Sequence, residues 1–291
     1  MVMMIVICAV LGLIGVQNGG LLEILLNRDV SEIYKIENPR EAILRSMNVL
    51  SKLKLTKYQK AVIWDVFKGD KDPENLTSDD LEKVVYLLPA IPEGDLSKLN
   101  TSDWKIIEIL GQIRDFSRPQ IAVIANSLRL KWNKKILSNA DFINKYSGLI
   151  CGFPEEELST IPQTEFKKIN SSVFSNLFTC SESQLRIFHD HAVQAYGIPQ
   201  SWSENVITHI GMIIFALSKT EIRSLQAAAL RGLDTGLVAK FRPEILDFFT
   251  SEQLKTLSPP SKLFVPGNFN SGSNHPKIWL FPLPLYLLLK C

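Results

Sequence analysis

The sequence predicts an all-α chain arranged as a row of short helices, an α-solenoid. Two observations predict it: a helix-opening phrase that keeps returning, and apolar residues at helical spacing, with no sustained strand-like alternation. In the phrase an apolar residue precedes Ser or Thr. Two variable residues follow, then an acid or Gln, then an aliphatic residue. It reads Leu217-Ser218-Lys219-Thr220-Glu221-Ile222, Leu76-Thr77-Ser78-Asp79-Asp80-Leu81, Phe116-Ser117-Arg118-Pro119-Gln120-Ile121 and Phe249-Thr250-Ser251-Glu252-Gln253-Leu254. Looser copies run from Phe153 to Ile161 (with Pro154 in place of the hydroxyl), from Cys180 to Phe188 and from Leu25 to Ile33. Each is a helix start. The N-cap hydroxyl accepts from the N3 amide, the N3 side chain reaches back to the N-cap amide, and the flanking apolar pair can staple the turn. Copies at intervals of about 30 to 50 residues indicate tandem units that bury their faces on neighbours instead of in one closed core.

Taken in order, residues 41 to 68 carry helical periodicity through Ile43, Met47, Leu50, Tyr58, Val62 and Val66, and Gly69 to Asn75 is a turn-rich break. The Thr77 cap predicts a helix to Leu88, stopped by Pro89 and Pro92. Another spans about 102 to 115, and the Ser117 cap opens one with Ile121, Ile124, Leu128 and Trp132 inward. Ser183 to Tyr196 is helical and ends at Gly197. After Pro199, Ser201-Trp202-Ser203 opens a helix with Val206, Ile210 and Ile213 inward. Gly19, Gly111, Gly148 and Gly211 stand at one offset before a capping phrase, which suggests mid-helix points of close approach. Past Ser258-Pro259-Pro260 helix signals vanish.

Three segments follow. Residues 1–18 read as a secretory signal, since Met1 to Val16 is apolar or small, or as a truncated first helix. Residues 19–258 form the helical-repeat domain. Residues 259–291 are a non-globular tail. Small residues around Ser271, a polar spacer and the apolar run Ile278 to Leu289 outline a GPI-attachment signal, with Ser271 as the candidate lipid-attachment residue. With processed ends, Cys151 and Cys180 remain, either as a pair or as two buried thiols. Sequons place candidate glycans on Asn75, Asn100 and Asn170.

The 46% hydrophobic content against 21% charge marks a folding chain. A net charge of +2 with no basic run beyond two residues argues against a nucleic-acid partner. His189-Asp190-His191 is the one dense polar cluster. On a helix its imidazoles point apart, so it reads as a solvated face and not a metal site. Trp64, Trp104, Trp132 and Trp202, one per unit, read as core filling. Phosphate-loop, zinc-protease and nucleophile-elbow motifs are absent, and the recurrent acids are explained by capping. No catalytic residue, cofactor or metal is predicted.

The order Tyr196-Gly197-Ile198-Pro199-Gln200-Ser201-Trp202, then His209-Ile210-Gly211, then the Leu217 phrase resembles the mesothelin, stereocilin and otoancorin superfamily. Leu110-Gly111 through Gln120, and Phe241-Arg242-Pro243 through Pro259, look most like the C-terminal part of otoancorin-type members. The resemblance implies an ARM/HEAT-like superhelical stack of short helices without catalytic residues. It also implies a secreted or GPI-anchored glycoprotein on the extracellular side of the plasma membrane, at the apical cell surface. The expected function is non-enzymatic adhesion of cells to extracellular matrix or gel glycoproteins. The alternative is an intracellular helical-repeat scaffold.

Overall fold

The computed structural model describes Leu21, Ile24 and residues 30–257 apart from Asn133. Among these residues every regular element is an α-helix or a 3-10 helix, and there is no strand. The expected signal, the tail and Ser271 lie outside the described residues.

The capping phrases open helices as their chemistry requires. Thr77, Ser218 and Thr250 each accept from the N3 amide while Asp80, Glu221 and Gln253 reach back to the N-cap amide. Ser117 and Gln120 exchange the same two bonds. The looser copy at Cys180 is a full capping box, Ser181 with Gln184. A further box, Thr56 with Gln59, escapes the sequence pattern because Lys60 stands where an aliphatic residue was required. Pro154 caps without a side-chain bond, and so does Ser203.

Of the described helices of 12 residues or more, Pro39–Leu50 comes first and the next three share one arrangement: Lys57–Lys68, Arg118–Trp132 and Glu182–Tyr196. Each packs against a 3-10 helix that follows it, respectively Val85–Ala90, Ser147–Gly152 and Gly211–Ala216. Shorter helices fill the intervals. Buried apolar side chains from Leu21 to Leu257 form one connected cluster. Full burial of such a Leu, Ile or Phe contributes about 1.5–3 kcal/mol.

Several expectations are corrected. The helix from Thr77 ends at Lys83, because Val84 leaves the helical basin at φ −122° and ψ 23°. The chain continues as the 3-10 helix Val85–Ala90, with Pro89 inside it. The tighter pitch nearly eclipses positions three apart, so Val84 and Leu87 bury together. The helix expected over 102 to 115 is Trp104–Gly111, opened by Asp103 and not by Ser102. Val206 is only half-buried, while Ile207 takes the inward place. Trp104 and Trp132 are not spread apart. Their ring centroids lie 4.4 Å apart, and Phe142 stacks on Trp104 at 4.8 Å.

The glycines sit at junctions and not in mid-helix. Gly111 ends its helix, whereas Gly148 and Gly211 belong to the 3-10 helices that follow. Close approach is nonetheless their common property. A Cβ on Gly111 would stand 2.4 Å from the Lys145 carbonyl oxygen. Gly211 has φ +51°, and a Cβ there would meet the Phe174 backbone at 2.9 Å. Both positions therefore exclude larger residues. Gly19 lies outside the described residues.

Candidate functional site

The polar residues with the most to do are those at the N3 position of the caps. A Gln there has an oxygen for its own helix and an NH2 group left over. Gln120 donates Nε2 to the Pro89 and Ile91 carbonyls at 3.1 and 2.9 Å. Gln184 donates to Cys151 and Phe153 at 3.0 and 2.8 Å. Gln253 donates to Ile222 and Leu225 at 2.7 and 2.8 Å. Each side chain thus closes its own helix start and fastens it to a turn about thirty residues earlier. All three are buried.

Where the N3 residue is an acid, it cannot donate and takes a cation instead. Asp80 accepts from Arg40 at 2.9 Å and lies near Lys71. Glu221 stands 3.0 Å from His189 Nε2, close in distance but off a hydrogen-bond line. Burial alone would raise the Glu221 carboxyl. The Ser218 amide and hydroxyl together with His189 hold it below its ordinary value. Beneath the Pro154 cap, Glu157 pairs with Arg129 at 3.0 Å. The sequence identified these residues as caps and missed their second bond, which has no local signal.

His189-Asp190-His191 is not a solvated face. His191 is buried, stacks on Phe166 and donates Nε2 to the Leu158 carbonyl at 3.0 Å. The His189 side chain is only 13% exposed, and only Asp190 projects. His209 is enclosed by Phe174 and Tyr196, and burial lowers its pKa.

Cys151 and Cys180 are joined, with an S–S distance of 2.08 Å and Cα atoms 4.5 Å apart. Cys180 immediately precedes the Ser181 cap, and the Cys151 carbonyl is one acceptor of Gln184. The bond and the amide therefore hold the same two segments.

The sequons are scattered. Asn75 ends the 3-10 helix Pro73–Asn75 and is exposed. Asn100 is half-buried. Its Oδ1 accepts from the Ser102 amide at 3.2 Å, leaving Nδ2 without a partner among the described residues. Asn170 is exposed at the start of Ser171–Phe174, on the edge of a polar groove of about 740 Å³ that also holds Glu108, Asp141 and Lys145.

No protein-family model matches the chain. Curated proteins do. Stereocilin of Mus musculus is 26% identical over 191 residues, which cover 64% of this chain and 10% of that protein. Stereocilin of Homo sapiens is 23% identical over 206 residues, 66% of this chain and 12% of the relative. Otoancorin of Mus musculus is 22% identical over 171 residues, 58% of this chain and 15% of the relative. The chain is thus homologous to stereocilin and otoancorin over more than half of its length.

It spans about a tenth of the length of the stereocilins it matches. Within this stretch of stereocilin-like sequence, no described helix is long and apolar enough to cross a membrane. Among the described residues no group of three or more His, Cys, Asp or Glu is set to hold a metal. The buried N3 glutamines of this stereocilin-like stretch bind its own backbone.

Proposed function

We propose that this chain is a non-enzymatic adhesion protein of the extracellular space, presenting a helical-repeat surface to matrix or gel glycoproteins. The observation that carries the reading is the bridge between Cys151 and Cys180, because such bonds form and persist in oxidising compartments. Kinship with stereocilin and otoancorin points the same way. The polar side chains that could have served chemistry are engaged in capping and in joining units.

The repeat domain, residues 19–258, is proposed to be a solenoid. Its packing pairs join elements near each other in the chain, and long helices beginning at residues 57, 118 and 182 recur with the same 3-10 partner. A row of this kind offers an extended surface to a large partner. Asn75, Asn100 and Asn170 are its proposed glycan sites, and Ser271 its proposed attachment to a GPI anchor at the apical surface. The test is expression in a secretory cell. Surface exposure, a gel shift on treatment with an amidase that removes N-glycans, and release by phospholipase are expected. A cytosolic, unglycosylated product with both thiols free would replace this reading by the scaffold.

A further inference from the structure

A second groove, of about 410 Å³, is assembled by four stretches distant in sequence, one of them carrying Thr208. Arg114 follows the helix Trp104–Gly111, Phe178 lies just before Cys180, and Lys240 follows the short helix Thr235–Val238. Lys240 Nζ stands 3.3 Å from the centre of the Phe178 ring, and the Arg114 guanidinium carbon 5.9 Å from it. Neither cation has an ion-pair partner among the described residues. Many of the chain's other cations do, including Arg40, Lys105, Arg129, Lys145 and Lys168. The one acid lining the groove, Asp234, spends Oδ1 on the amides of Gly236 and Leu237 at 2.8 and 3.2 Å. Burial and the nearby Arg114 charge push the Lys240 amine below its ordinary value, and Asp234 offsets this only in part. Two cations held at one ring with only Asp234 as a partial counter-charge repel each other, and a further anion that reaches both turns that repulsion into attraction.

The same groove is also lined by hydroxyls with their hydrogens already committed. Ser175 Oγ donates to the Ser171 carbonyl and Thr208 Oγ1 to the Glu204 carbonyl, each at 3.0 Å. The lone pairs left for the groove suit a ligand that brings its own O–H donors. Lys240 covers one face of the Phe178 ring, which leaves a neutral sugar less stacking surface there. An acidic peptide would satisfy the cations but set its carboxylates against these acceptors.

We propose that this groove binds an anionic saccharide, its sulfate or carboxylate between Arg114 and Lys240 and its hydroxyls on Ser175 and Thr208. The location of such a ligand rests on the extracellular reading above, while the chemistry of the groove does not. The full chain is titrated with a sulfated, uronate-containing hexasaccharide, with an uncharged dextran oligosaccharide and with polyglutamate. Binding of the hexasaccharide alone is expected, weakened by added salt. The double variant Arg114→Gln, Lys240→Gln should lower the affinity about tenfold or more. Lys52→Gln with Lys54→Gln, an equal charge change at exposed residues outside the groove, should leave it unchanged. As a check needing no variant, bound hexasaccharide should slow acylation of Lys240 and not of Lys52. Equal binding of dextran or polyglutamate, full affinity in the double variant, or unprotected Lys240 would each overturn the proposal. A cytosolic chain that still binds the hexasaccharide would overturn the extracellular reading alone.

Discussion

At Gln120 and at Gln184 the same capped helix start is anchored to the preceding turn by the same pair of amide bonds, yet only the second region is also joined covalently. Phe116 precedes the first cap and Cys180 the second, and both are buried. Pro89 supplies one carbonyl to Gln120 where Cys151 supplies one to Gln184. The place that the bridged Cys180 takes before its cap is thus taken by the apolar Phe116 before the other. The bridge reinforces a contact that Gln184 already makes and adds no new connection. Phe249, buried before the Thr250 cap, repeats the apolar version.

That difference can be pressed hardest at the glutamines. Gln120→Ala leaves two carbonyls and the Ser117 amide without their partner, and should lower the unfolding free energy by about 4 kcal/mol. Gln184→Ala should cost less in the oxidised protein and about as much after reduction, since the bridge holds the same segments. Urea titrations with and without reductant measure both. Equal losses in the oxidised protein would mean that the bridge and the amide act independently. Cys151→Ser removes a link across 29 residues and should cost about 3 kcal/mol. A double-mutant cycle with Gln184→Ala should show coupling, and strict additivity would break the comparison.

Ser218→Ala probes the acid version of the cap, where the N3 residue makes no bond to an earlier carbonyl. Loss of the cap alone should cost about 1 kcal/mol, and an unchanged melting curve would count against the capping role. The smallest effect is one of pH. Burial lowers the pKa of His209 in the folded chain, so folding takes up fewer protons there than the unfolded chain would. Its contribution is complete above the unfolded value of about 6.5 and is lost as pH falls through that value toward the folded one. His209→Phe should flatten the stability profile between pH 7.5 and 5.5. Glu221, held below its ordinary value, loses its contribution only at more acid pH, below about 4.5.

The sequence made the helix starts legible because a capping box closes within four residues and uses no distant partner. Thr77 to Asp80 and Ser218 to Glu221 could be read directly. What Gln120, Gln184 and Gln253 do with their NH2 groups could not, because their acceptors lie 28 to 33 residues away and become neighbours only on packing. The same limit explains the histidines. Helical angles alone separate His189 from His191, but the Leu158 carbonyl and the Phe166 ring decide that His191 is inside. Helix ends were also hidden. Nothing local at Val84 announces the change to a 3-10 pitch, which accompanies the burial of Leu87 and Leu88 against Lys57–Lys68.

The glutamine bonds also have a direction along the polypeptide. In all three cases the donor comes later in the chain than the carbonyls it finds. On a ribosome, each acceptor turn has left the exit site before the side chain that will seize it is made. At these three places a newly emerging segment thus meets a ready mooring behind it.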